Sequence, residues 1–166
     1  MSLRLVLIRH AKSAWGQRGL ADRDRPLDDR GRRAAPRIGG WIAGRAAPDE
    51  ALVSDALRTR QTWELIAAKM PAPAKAWLLP DLYLAEADEM LRVLHGASGR
   101  VVAMVGHNDG IAQFAAALAA APPDHRRFAD YPTGATTILD FDASRWGDVG
   151  YGAGTVTDFV VPRDLE

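Results

Sequence analysis

The feature that most constrains this chain recurs along it: short apolar runs end abruptly in charged or polar residues and pass into a helical pattern. Leu3 to Ile8 stops at Arg9-His10, Ala51-Leu52-Val53 stops at Ser54, and Val101 to Val105 stops at Gly106-His107-Asn108. Runs of this length with no polar alternation mark strands covered on both faces, as in parallel sheets. Beyond each run the apolar residues take the spacing of one helix face: Ala34, Ile38, Trp41 and Ile42, then Thr59, Thr62 or Trp63, Ile66 and Met70, then Ile111, Phe114, Ala115 and Leu118.

A fourth run, Ala76 to Leu79, precedes a helix over Glu86 to His95 with acids in its first turn and Gly96 at its stop. Thr136 to Phe141 and Thr155 to Val161 read as closing strands, joined by a glycine-rich turn around 146–154. Ser54 reads as the cap of the second helix and Pro71 as its end, while Pro36 fits the first helix if that helix starts late. Strands alternating with helices predict an α/β fold, a single three-layer domain over residues 1–166 with a mostly parallel central sheet flanked by helices. No repeat or linker suggests a second domain.

Composition narrows the function. The absence of cysteine removes disulfides, thiolate nucleophiles and cysteine-based metal sites. Twenty-one basic residues balance twenty-one acidic ones, which argues against a nucleic-acid partner. The balance is uneven along the chain: residues 1–50 carry eleven basic and six acidic groups, residues 101–166 four and nine. An anion site should therefore draw its cations from the N-terminal third. No apolar stretch approaches the roughly 20 residues of a membrane span, and none has the form of a signal segment, so no membrane partner and a cytoplasmic location are expected.

Ligands of open α/β sheets gather beyond the carboxyl ends of the strands. If the strands ending at Ile8, Val53 and Val105 are parallel neighbours, Arg9, His10, Arg58 and His107 come together in one small volume. Singly, each has an ordinary alternative: Arg9-His10 a surface pair, Arg58 a solvent-facing helix residue, His107 part of a loop whose glycines allow close backbone approach.

The segments Arg9-His10-Ala11-Lys12-Ser13, Asp24-Arg25-Pro26-Leu27-Asp28-Asp29-Arg30-Gly31, Ser54 to Thr62 and Val105-Gly106-His107-Asn108 resemble, in this order, the histidine phosphatase superfamily, also called phosphoglycerate mutase-like. The similarity is greatest to its short bacterial branch of SixA-type phosphohistidine phosphatases. It covers Leu3 to about Phe114, and the final strands more loosely. The resemblance implies that His10 is the nucleophile, that Arg9 and Arg58 clamp the phosphoryl oxygens and that His107 is the second histidine of the pocket. Chemistry asks for such a set: an imidazole nitrogen forms a labile phosphoramidate, and guanidinium forks match pairs of phosphoryl oxygens.

Ser13 and Asn108 either bind the phosphate or serve local turns and caps. Larger members of the superfamily carry a glutamate acid after the third strand; here Glu86 is the candidate general acid, with helix capping as its alternative. The missing insertions imply an open pocket. The expectation is a phosphatase working through a phosphohistidine intermediate, metal-independent and without cofactor, on phosphohistidine of a protein. A small phosphate ester is the alternative substrate, and a non-catalytic phospho-ligand module the alternative class. A monomer is expected.

Overall fold

The computed structural model describes residues 2–166. Strands β1 (Leu3–Arg9), β2 (Glu50–Ser54), β3 (Lys75–Leu79), β4 (Val101–Gly106), β5 (Thr136–Phe141) and β6 (Thr155–Val160) form one sheet in the order β3-β2-β4-β1-β5-β6. Helices α1 (Asp29–Ala43), α2 (Leu57–Ala67), α3 (Ala87–His95) and α4 (Gly110–Leu118) flank it. Alternation along β1 explains the three layers. Leu3, Leu5 and Leu7 point into a core shared with Met90, Leu94, Phe114 and Leu118 of α3 and α4. Val6 and Ile8 point the other way, to Ile38, Ile42, Trp63 and Ile66 of α1 and α2. The fold is the expected α/β domain with a mixed sheet.

The parallel pairs are β3 with β2, β2 with β4, and β4 with β1, so the carboxyl ends of β2, β4 and β1 lie side by side. Strand β5 runs antiparallel to β1, with Thr136 opposite Ile8 and Phe141 opposite Leu3. The residues before β5 therefore arrive at the same end of the sheet as His10. There the Gly134 amide donates to the Arg9 and His10 carbonyls (3.1 and 2.9 Å).

Several boundaries differ from the sequence reading. Helix α1 starts at Asp29, capped by the Asp28 carboxylate on the Gly31 amide (2.8 Å), so Pro36 lies inside it and not in its first turn. Burial of Ala35, Ile38, Gly39 and Ile42 offsets the missing proline donor. Ser54 does not cap α2: the N-cap is Ala56, which has no side-chain cap bond. Helix α2 ends at Ala67, leaving Met70 in the following turn. Helix α4 ends at Leu118, the last of the residues read as its apolar face, because Ala119 is already extended and bridges to Gly154. Trp146, read as part of a turn, is core: its indole donates to the Gly99 carbonyl (2.6 Å).

One close approach fixes the loop after β1. A Cβ on Gly31 would lie 2.1 Å from the Lys12 carbonyl oxygen, an atom that also accepts the Asp28 amide (3.0 Å). Only glycine lets α1 seat against the loop that follows the nucleophile candidate.

Candidate active site

Each strand end delivers one part of a cleft of about 310 Å³ that contains Arg9, His10, Ser13, Arg25, Arg58, His107 and Asn108 in its walls. Its position beyond the carboxyl ends of β1 and β4 is the one the sheet topology favours. His10 is buried and held by its backbone: its amide donates to the Gly106 carbonyl (3.1 Å), and the next amide, Ala11, donates to Thr62 Oγ1 (3.0 Å). Nδ1 lies 2.7 Å from the Ala11 carbonyl oxygen. A carbonyl only accepts, so Nδ1 carries the proton and the lone pair sits on Nε2. Burial first, then His107 and the guanidinium groups of Arg9 and Arg58, hold the His10 pKa well below its ordinary value, against the opposing hydrogen bond to the Ala11 carbonyl.

His107 follows β4, its ring centroid 5.4 Å from that of His10. Its Nε2 is 2.7 Å from the hydroxyl of Ser54, at the end of the adjacent β2, and its ring meets Tyr83 edge to face. Burial, with Arg58 next, lowers its pKa to about 3, so the free cleft holds two neutral histidines at pH 7.

Three arginines line the cleft. Arg9 donates from Nη1 to the Tyr131 carbonyl (3.1 Å), and Asn108 Nδ2 donates to that same oxygen (3.3 Å) and to the Asp130 carbonyl (3.0 Å). Tyr131 presents this carbonyl from a left-handed backbone (φ +48°), while its buried hydroxyl donates to the Leu7 carbonyl (2.8 Å). Arg58, in the first turn of α2 and 2% exposed, binds Asp22 twice: Nη1 to the backbone oxygen (2.8 Å) and Nη2 to Oδ2 (3.0 Å). Arg25 donates to Asp22 Oδ1 (3.0 Å) and to Ser13 Oγ (2.7 Å), and stacks over Trp15. The Tyr83 hydroxyl also donates to Asp22 Oδ2. These donors hold the Asp22 carboxyl well below the usual carboxylate range, against the opposing effect of burial.

Arg9 Nε, Arg58 Nε and His107 Nδ1 are buried without a hydrogen-bond partner among the described residues. Asn108 Oδ1, an acceptor, is unpartnered beside them; unsatisfied buried polar atoms are costly, and two free guanidinium donors in one cleft fit a ligand rich in acceptor oxygens. The structure thus brings Arg9, His10, Arg58 and His107 together, with Ser13 and Asn108 beside them. Glu86 is exposed at the start of α3 and is not among the residues lining the cleft. No group of three or more His, Asp or Glu placed to hold a metal ion occurs among the described residues.

Sequence reasoning missed Asp22, Arg25, Tyr83 and Tyr131 as site residues and gave Ser54 the wrong task. The one available signal was Asp22 three residues before Arg25 in a charged run, a spacing that permits the pair now seen.

A buried strand-end histidine, a second histidine facing it and three arginines in the same cleft suit a hydrolase of the phosphatase class. Residues 5–82 match the family model of the histidine phosphatase superfamily (branch 1), and the chain belongs to that family. The uncharacterized protein Rv1276c of Mycobacterium tuberculosis is 35% identical over 164 residues, covering 94% of this chain and 100% of that protein. Among solved structures, a candidate phosphohistidine phosphatase SixA from Nakamurella multipartitia superposes with a TM-score of 0.84 at 26% identity, covering 98% of this chain and 97% of the other. A protein histidine phosphatase SixA complexed with tungstate superposes with a TM-score of 0.78 at 22% identity, covering 99% and 100% of the two chains, a likeness of fold. The branch is the SixA-like one.

Proposed function

We propose that this chain removes phosphoryl groups from phosphohistidine on a protein, through a covalent phosphohistidine at His10 and without a metal ion. The observation that carries the reading is the tautomer of His10: Nδ1–H is committed to the Ala11 carbonyl, and the lone pair of Nε2 is left for phosphorus. Nε2 attacks, the bond from phosphorus to the leaving nitrogen breaks, and the departing imidazole, already protonated on its other ring nitrogen, takes the bonding pair and leaves neutral. Phosphorylated at Nε2 and still protonated at Nδ1, His10 is an imidazolium whose charge the Ala11 carbonyl stabilises. Water then attacks phosphorus, the N–P bond breaks with its pair returning to Nε2, and inorganic phosphate leaves.

Arg9 and Arg58 offer their free Nε donors to the equatorial oxygens, where negative charge is spread in the transition state. His107 assists as a neutral donor. In this reading the Ser54 hydroxyl donates to Nε2, so the remaining imidazole proton is on Nδ1, which has no partner among the described residues.

A protein-borne phosphoryl group is supported by the mouth of the cleft. Trp15 and Leu84 line it and are 73% and 53% exposed, an apolar rim that a macromolecular surface covers and a small ester does not. The test is turnover of a phosphohistidine-bearing phosphotransfer protein and a panel of phosphate esters, with and without EDTA, together with trapping of labelled phosphate. Acid-labile label on His10 and EDTA-insensitive turnover of phosphohistidine are expected. Label on His107, loss of activity in EDTA restored by zinc or manganese, or turnover confined to small esters would each overturn the corresponding part.

A further inference from the structure

Lys12 and Thr133 line the His10 cleft on one side and a second cleft, of about 260 Å³, on the other. Its walls hold six cations, Lys12, Arg30, Arg33, Arg37, Arg127 and Arg163, against the single carboxylate of Glu166. We propose that this second cleft is a docking groove for an acidic segment of the polypeptide that carries the phosphoryl group. This rests on the phosphatase reading of the His10 cleft.

The cations come from four separate parts of the chain: the loop after β1, the exposed face of α1, the segment before β5 and the segment after β6. Arg127 has an acidic partner, Asp130, at 3.1 Å. The other five have no carboxylate within 4.0 Å among the described residues. Elsewhere Arg32, Arg92 and Arg145 each pair with an acid three residues away, whereas Arg18, Lys69, Lys75 and Arg126 do not; what sets the groove apart is that five such cations surround one cleft. A cluster of like charges repels itself, and an anion laid along it relieves the repulsion.

Spacing selects the anion. Arg30, Arg33 and Arg37 lie on one face of α1 and span about 10 Å at the helical rise. A single phosphate satisfies one or two guanidinium groups at one end of that row, whereas acidic side chains in series meet all three. The shared wall of Lys12 and Thr133 sets the groove next to the reaction cleft, within reach of residues that flank the phosphorylated side chain. The N-terminal excess of positive charge is thereby divided between a phosphoryl clamp and a partner groove.

The experiment measures binding and turnover separately on the full chain. A fluorescent, unphosphorylated peptide of alternating Glu and Ser is titrated into the wild type and into the Arg30→Glu, Arg33→Glu, Arg37→Glu triple variant, whose changes all fall on exposed positions. An isosteric Gln/Ser peptide and a DNA oligonucleotide serve as comparisons. Saturable binding of the acidic peptide is expected, weakening with added salt and by about tenfold or more in the variant, as three exposed ion pairs become like-charge contacts. Para-nitrophenyl phosphate turnover should be unchanged in the variant. Equal binding of the Gln/Ser peptide, no response to the variant, or tighter binding of DNA would overturn the docking proposal while leaving the phosphatase reading intact. Acidic-peptide binding by a chain that turns over no phosphorylated substrate would overturn the phosphatase reading, and the groove with it as a substrate dock.

Discussion

Asp22 holds Arg58 by two different atoms, its backbone oxygen at 2.8 Å and its carboxylate at 3.0 Å, and shares that carboxylate with Arg25 and Tyr83. The carboxylate has two opposing effects. It orients two guanidinium groups, and it places a negative charge in the cleft proposed to take the phosphoryl group. Its side chain is 43% exposed, so solvent screens the repulsion, whereas misplacing a clamp is costly in the transition state. Orientation therefore outweighs repulsion, and Asp22→Asn should lower kcat/KM by about tenfold. Steady-state kinetics with phosphate as a competitive inhibitor checks this: faster turnover with tighter phosphate binding would show Asp22 to be a competing anion.

Arg58→Lys should cost about 10²-fold or more in kcat/KM although the charge is kept. The fork already uses two nitrogens on Asp22 and has its third, Nε, free; an ammonium group has neither that geometry nor the reach. A lysine variant within a few-fold of wild type would place the second clamp elsewhere.

Two neutral histidines in the folded cleft have a consequence for stability. Unfolding restores each to a pKa near ~6.5, so below that pH the unfolded chain binds protons that the folded chain excludes. Stability should therefore fall as the pH drops below ~6.5, by about 1.4 kcal/mol per unit for each histidine, until the folded groups take up protons, at about 3 for His107. Urea unfolding across this range is expected to show the slope, shallower in His107→Asn. Nuclear magnetic resonance should find no protonation step for His10 or His107 near pH ~6.5.

Glu86→Gln should leave phosphohistidine hydrolysis unchanged, since the side chain is exposed and away from the lining of the cleft. With no acid to protonate an alkoxide, esters of high-pKa alcohols should react poorly beside aryl phosphates. A tenfold or greater fall on alkyl phosphates alone in this variant would make Glu86 the general acid.

Local pattern encodes the part of the fold that was legible in the sequence. Uniformly apolar runs gave β1, β2 and β4, and the polar residues at their ends gave Arg9, His10 and His107. Ser54 shows where this stops. From the chain alone it precedes a helix and reads as a cap, yet its hydroxyl belongs to His107 because β2 and β4 are neighbours, and strand order is a tertiary fact. Asp22 and Tyr83 meet across 61 positions, through two loops with no periodicity to read. Tyr131 acts through its backbone oxygen, which no side-chain pattern reports.

The reversed direction of β5 has one more consequence. Because β5 starts beside Ile8 and ends beside Leu3, the segment that braces Arg9 and His10 sits at one pole of the sheet and the 142–154 connection at the other. Trp146 and Val149 tie that connection into the core, so only its exposed tip at residues 151–153 is placed to be lengthened or fused to another chain without reaching the His10 end. A protein of this shape has a working end and a handle, and the handle is where a lineage can add an attachment without rebuilding the machine.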